Sequence, residues 1–287
     1  MTARFCDKGR MDFASRRAAF RNLHKQGCFV MPNPWDTGTA LYLSHLGFPA
    51  LATTSAGFAF AGGLPDTADP QARDLVLAHF AAMVAAVDLP INADFENGYA
   101  DQPEEVAANV RRCVHTGVAG LSIEDATGNP AQPLYDLPLA AERIRAARQA
   151  IDGFGANVVL TARAECYLVN HPDPLTESLR RLEAYSQAGA DVLYAPGPSK
   201  PSEIEAIVNA VAPKPVNVLM SANTGLTVAD LAALGVRRIS VGSSLARAAW
   251  TAFIRSAKEI AEHGTFNSFE GLVPYRELND FFRVRGR

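Results

Sequence analysis

The chain is short of several things, and each shortage removes a class of function. Its 287 residues include four cysteines, at 6, 28, 113 and 166, with no CxxC pair and no short Cys/His cluster. That spacing offers neither a disulfide framework nor a zinc site, and it suits a reducing cytoplasm. Neither sign of charge dominates: 27 Lys and Arg stand against 30 Asp and Glu, a net charge of −3. Without a basic excess the chain lacks the electrostatic footprint of a nucleic-acid binder. No apolar run approaches the roughly 18 residues that a transmembrane helix needs. The N-terminus, Met1-Thr2-Ala3-Arg4-Phe5-Cys6-Asp7-Lys8, carries charge where a secretory leader needs its apolar core. A cytoplasmic protein with no nucleic-acid or membrane partner is therefore expected.

Hydrophobic residues make up 48% of the chain, enough for a core that needs no disulfide or metal staple. Dividing by about 150 residues per domain would give two domains, but one α/β barrel routinely takes about 250. The patterning favours one. Short apolar runs at 28–32, 50–54, 90–95, 119–124, 157–162, 190–195, 215–219 and 237–241 read as buried parallel strands. Amphipathic stretches at 37–46, 71–87, 103–116, 138–151, 174–187, 201–211, 227–234 and 245–262 read as the helices that follow them. Gly47, Gly117, Gly189 and Gly235 stop four of these helices. Eight such units close most naturally as a (β/α)8 TIM barrel of the α/β class rather than as an open doubly wound sheet. No GxGxxG follows the first strand, which counts against a dinucleotide fold. Residues 1–287 are expected to form one barrel domain. Within it, 264–287 is a C-terminal helical extension whose Phe266, Phe269, Phe281 and Phe282 pack on a neighbouring subunit.

Barrels of this kind carry their active sites at the C-terminal ends of the strands. The ends here offer Asn33-Pro34-Trp35-Asp36, Thr54-Ser55-Ala56-Gly57, Asp94-Phe95-Glu96, Glu124-Asp125, Arg163-Ala164-Glu165, Asn217 and Gly242-Ser243-Ser244, with Asp66 on the second loop. Asp66, Asp94, Glu96 and Glu124 on one mouth would repel one another without a cation. Hard oxygen donors with no His or Cys beside them suit Mg²⁺, or Mn²⁺. Arg163 adds a planar fork suited to a carboxylate or phosphonate, or else a salt bridge to Glu165 or Glu124. The small-residue turn Thr54-Ser55-Ala56 offers N–H and hydroxyl groups to an oxyanion. Only five lysines occur, none ending a strand, so a Schiff-base aldolase is unexpected. Of six histidines, only His171 falls on the catalytic side.

With these segments in this order over residues 28–250, the chain resembles the isocitrate lyase/phosphoenolpyruvate mutase superfamily. The match runs through Asn33 to Asp36, Thr54 to Gly57, Gly63-Leu64-Pro65-Asp66, Asp94 to Tyr99, Ser122 to Asp125, Ala162 to Glu165, Gly189-Ala190-Asp191, Asn217 and Val241 to Ser244. The resemblance implies a Mg²⁺-dependent barrel that makes or breaks C–C or P–C bonds of 2-oxo acids through an enolate. By position, Asp94 is the direct metal ligand, while Asp66, Glu96 and Glu124 hold metal-bound waters. Substrate binding falls to Trp35, Thr54, Ser55, Ala56, Arg163 and Asn217, and catalytic roles to Arg163, Glu124 and Asp66. Members are commonly homotetramers that exchange the last helix between neighbours.

One stretch departs from the family. Isocitrate and methylisocitrate lyases carry a Lys-Lys/Arg-Cys-Gly-His loop after the fourth strand, and phosphonomutases carry a Lys there. Residues 126–135 hold no Cys, Lys or His, although Asn129 matches a phosphonomutase position. Strand six ends in Tyr194-Ala195-Pro196, where lyases commonly place a glutamate. The expectation is a Mg²⁺-dependent lyase that cleaves a C–C bond of a small 2-oxo acid, by decarboxylation or retro-aldol/Claisen cleavage. A P–C mutase or phosphonopyruvate hydrolase is the second reading, and a 2-oxo acid binding protein the third. Tyr135, Cys166 and His171 are the candidates for returning a proton to the enolate.

Overall fold

The computed structural model describes residues 11–285. It opens with α1 (Phe13–Leu23), β1 (Phe29–Met31), α2 (Thr37–His45), β2 (Leu51–Ala52), α3 (Ser55–Ala61) and α4 (Arg73–Ala86). There follow β3 (Ile91–Asp94), α5 (Pro103–His115), β4 (Gly120–Glu124), α6 (Leu137–Gly153), β5 (Val159–Arg163) and α7 (Pro174–Gln187). The last third holds β6 (Val192–Tyr194), α8 (Pro201–Val211), β7 (Val216–Leu219), α9 (Val228–Ala233), β8 (Arg238–Ser240), α10 (Ser244–His263) and α11 (Tyr275–Arg285). All strand pairings are parallel, in the order β1-β8-β7-β6-β5-β4-β3-β2. The gap between β1 and β2 is bridged where Ala52 N–H donates to the Pro32 carbonyl at 3.0 Å. This is the expected (β/α)8 TIM barrel, with all eight strands found but shorter than their apolar runs.

Two sets of residues make the ring close. Gly117, at φ +91°, ends α5 in the left-handed region, and a Cβ there would meet the Phe13 ring at 2.6 Å. Asn33 is buried at the opposite end of the barrel. Its Nδ2 donates to the Thr53 carbonyl at 2.8 Å, and its Oδ1 accepts the Val241 and Gly242 N–H groups at 3.0 Å each. One amide therefore ties the first, second and eighth strand ends together.

Two helices lay outside the sequence expectations, and a third belongs to the expected C-terminal helical extension. The first, α1, crosses the N-terminal end of the barrel. Its Arg17 donates to the Val118 and Val114 carbonyls, and its Arg21 pairs with Asp191 at 2.9 Å. Three arginines among its eleven residues hide its apolar stripe, so the sequence pattern did not reveal it. The second, α3, replaces the expected turn at 54–56: Thr54 caps it by accepting Gly57 N–H at 3.2 Å. The third, α11, revises the expectation for the tail. Phe281 packs on Tyr42 and His45 of the same chain at ring separations of 5.3 Å, whereas Phe266 and Phe269 remain exposed. Of the twenty residues of α10, only Ala246 is buried. Among the described residues no helix is long and apolar enough to cross a membrane. Cys6 lies outside the described residues.

Candidate active site

Neighbouring residues in parallel register put their side chains on the same face of a sheet. That rule runs one continuous row across four strand pairs: Glu124 beside Arg163, Arg163 beside Tyr194, Tyr194 beside Asn217, Asn217 beside Arg238. All five line a cavity of about 260 Å³ that opens at the C-terminal ends of the strands. Asp94 joins from β3, paired with Ser122. Asp66, Glu96, Thr54, Ser55, Ala56 and Glu165 complete the wall on that side.

The carboxylates and Arg163 form one cluster. Arg163 donates from Nη1 to Asp94 at 2.8 Å, from Nη2 to Glu124 at 3.1 Å and from Nε to Glu165 at 2.8 Å. The other Asp94 oxygen accepts the backbone N–H and the hydroxyl of Ser55, both at 3.1 Å. Ser55 is the first residue of α3, so the helix N-terminus faces a negative charge, its favourable partner. Glu96 enters by a different route. Its backbone is left-handed at φ +48°, a conformation that costs a non-glycine residue about 1 kcal/mol, and the carboxyl is buried at the cavity wall.

Burial, and after it the nearness of other charges, shifts the proton affinity of four of these acids upward. Burial, then repulsion from Asp94 and Asp66, pushes Glu96 up to about 8. Burial also lifts Glu124 and Glu165 above the usual carboxylate range, although Arg163 opposes the rise in both. Asp66 stands on an exposed loop with its carboxyl turned to Ser55 and Glu96, and partial burial plus Asp94 raise it too. Among the described residues, no three His, Cys, Asp or Glu side chains form a ready-made metal cage.

Of the residues singled out in the sequence, Asp66, Asp94, Glu96, Glu124, Arg163, Thr54, Ser55, Ala56 and Asn217 are brought together here. Trp35 is not among the lining residues; its Cβ stands behind α3, 2.9 Å from where a Cβ on Gly57 would lie. Asn217 is engaged at both ends of its amide, accepting from Arg238 Nε at 2.8 Å and donating to Ser240 Oγ at 2.9 Å. None of the three expected proton donors lines the cavity. Tyr135 binds Asp101 and Asn97 and lies under the Arg143 guanidinium at 3.8 Å. Cys166 is fully buried, with burial lifting its thiol to about 11. The His171 Nδ1 accepts Asp173 N–H at 3.2 Å.

Sequence reasoning missed Glu165, Tyr194, Arg238 and Ser240 as site residues. Register is the signal that finds Tyr194 and Arg238, and a continuous apolar run such as 190–195 conceals which residues face inward.

Comparison with known proteins gives this arrangement a context. The family model for phosphoenolpyruvate phosphomutase matches residues 20–261. An uncharacterised protein of Mycobacterium tuberculosis is 35% identical over 261 residues, covering 91% of this chain and 94% of its own. A crystal structure from Burkholderia cenocepacia, provisionally described as a lyase/mutase, is 49% identical with a TM-score of 0.89 and covers 94% of this chain and 96% of that one. An oxaloacetate decarboxylase of Paraburkholderia xenovorans is 27% identical over 247 residues, 80% of this chain and 75% of its own. The match spans all eight strands together with the carboxylate and arginine residues of the cavity. The chain therefore belongs to the phosphoenolpyruvate phosphomutase family, within the PEP mutase/isocitrate lyase superfamily of lyases and mutases.

Proposed function

We propose that the protein is a Mg²⁺-dependent lyase that breaks a C–C bond of a small 2-oxo acid, such as oxaloacetate, through an enolate. The observation that carries this reading is the convergence of Asp94, Glu96, Asp66 and Glu124 on one small cavity with Arg163 and the N-terminus of α3. Five carboxylates line the cavity against two guanidinium groups, Arg163 and Arg238. That excess, made of hard oxygen donors, fits a divalent cation of the magnesium type, with manganese as the alternative. Asp94 would hold it directly, and Glu96, Asp66 and Glu124 through water. When bound, such an ion polarises a keto oxygen and stabilises the negative charge of an enolate.

The chain's own residues supply the remainder. With the Ser55 N–H held by Asp94, the Ala56 N–H at the start of α3 suits the carboxylate of the oxo acid. Arg163, fixed by three carboxylates above the Tyr194 ring, presents its positive charge to the same anion. The loop at 126–135 folds on itself, with Ala126 bridging Leu134, and contributes nothing to the cavity wall. Decarboxylation needs an electron sink more than an acid on that loop. The relative named oxaloacetate decarboxylase supports this choice over P–C chemistry, for which the cavity adds only Arg238 to the expected arginine.

The exposed apolar face of α10, with Trp250, Phe253 and Ile254, is assigned to helix exchange in a homotetramer. Asp94→Ala tests the chemistry: turnover of oxaloacetate is expected to fall by at least roughly 10²-fold, the scale of a lost metal-centred stabilisation. Unchanged turnover in that variant would remove the proposed role of Asp94.

A further inference from the structure

The cavity floor holds an arginine that pairs with no carboxylate among the described residues. Arg238 is 2% exposed, and its partners are Asn217 Oδ1 at 2.8 Å, Thr161 Oγ1 at 3.0 Å and the His24 ring at 3.4 Å. His24 Nδ1 lies 2.8 Å from the Phe20 carbonyl, which can only accept, so Nδ1 carries the hydrogen and Nε2 faces Arg238 as an acceptor. Burial and Arg238 keep that imidazole neutral, its pKa lowered to about 3.

An arginine can donate and never accept, and that fixes the direction of everything above it. Because Arg238 donates to Oδ1, the Asn217 amide has one orientation, with Nδ2 donating to Ser240 Oγ at 2.9 Å. The Ser240 hydroxyl, already accepting there, lines the same cavity as the Tyr194 phenol and opposes the rise that burial gives that phenol. The phenol lines the cavity between Arg163 and Asn217 in the inward row, with the Arg163 guanidinium carbon 5.2 Å from its ring centre.

We infer that Tyr194 is the acid that returns a proton to the enolate, and that Arg238, Asn217 and Ser240 form a one-way string of donors that positions its hydroxyl. The inference rests on the lyase reading above. Cleavage of the C3–C4 bond of oxaloacetate releases carbon dioxide and leaves the electron pair in the enolate of pyruvate. C3 then takes the proton from the Tyr194 oxygen: a C–H bond forms, the O–H bond breaks, and water reprotonates the phenolate. Tyr194 stands on β6 next to Arg163 in the inward row and so reaches a ligand held by that arginine.

The test follows carbon dioxide release and formation of keto-pyruvate side by side, with oxaloacetate and Mg²⁺, in the wild type and in Tyr194→Phe. A dehydrogenase that consumes only the keto form reports the second signal. In the wild type the two signals are expected to rise together. In Tyr194→Phe, carbon dioxide is expected to precede keto-pyruvate by a measurable lag while enolpyruvate accumulates. The protonation step slows by roughly 10²-fold, the usual contribution of a positioned acid. Ser240→Ala keeps the phenol but loosens it, and a shorter lag is expected. Damage to folding alone would slow both signals equally, and signals that stay in step in both variants overturn the assignment of Tyr194. A wild-type protein that leaves oxaloacetate and the other 2-oxo acids untouched overturns the lyase reading itself, and this inference with it.

Discussion

Glu96 is the residue whose chemistry is most exposed to a change of pH. Its carboxyl is buried among Asp94 and Asp66, and its folded pKa of about 8 stands well above the roughly 4.3 of an unfolded chain. A raised folded value means that the folded state binds the proton more tightly. The contribution to stability is therefore complete below about pH 4.3 and is lost as pH rises through 8. In EDTA the protein is expected to lose stability across that window by up to about 1.4 kcal/mol per pH unit. Urea midpoints between pH 5 and 8 measure the slope. Glu96→Gln is expected to flatten it, and Mg²⁺ to flatten it in the wild type by taking the place of the proton. The strand-end carboxylates and Arg163 were legible in the sequence because their positions follow from where the apolar runs stop. Tyr194 and Arg238 were not, because their roles depend on inter-strand register. The proton donors read from loops failed for a related reason: loop residues such as Tyr135 find partners on neighbouring elements that no linear pattern shows.

Among the elements, α1 joins the N-terminal end of the barrel to the active site. His24, at its C-terminal cap, accepts from Arg238 and therefore has to stay neutral. A histidine whose folded pKa lies near 3 and whose unfolded pKa is about 6.5 gives stability that is complete above pH 6.5 and is lost as pH falls towards 3. His24→Gln is expected to lose stability less steeply than the wild type between pH 6.5 and 4, by up to about 1.4 kcal/mol per pH unit, read from denaturation midpoints. α10 makes a second prediction. Phe253 is 60% exposed on a helix with a single buried residue, and Trp250 packs edge-on against it at 5.4 Å. Phe253→Glu is expected to lower the sedimenting mass from four chains to one or two; a wild type that sediments as a single chain contradicts the assembly. The eight strand–helix units were readable because each buried parallel strand is a nearly continuous apolar run. The helices α1 and α3 escaped, the first hidden by its arginines and the second by its resemblance to a small-residue turn.

At the scale of the molecule, the barrel does two separate jobs along its axis. The N-terminal end is sealed by α1, and the C-terminal end gathers an excess of carboxylates around a cavity of about 260 Å³. That volume admits a small acid. A net charge of −3 spread over the whole chain gives no hint of this local excess, because the cluster forms only when distant strand ends meet. The central claim is that this cluster works with a divalent cation on a 2-oxo acid. The most direct measurement incubates the purified protein with oxaloacetate, phosphonopyruvate, 2-methylisocitrate and 2-oxoglutarate, once with Mg²⁺ and once with EDTA, following products by NMR. Pyruvate is expected from oxaloacetate or a related diacid, formed with Mg²⁺ and abolished by EDTA. Phosphate or phosphoenolpyruvate from phosphonopyruvate alone, or turnover indifferent to EDTA, would contradict it.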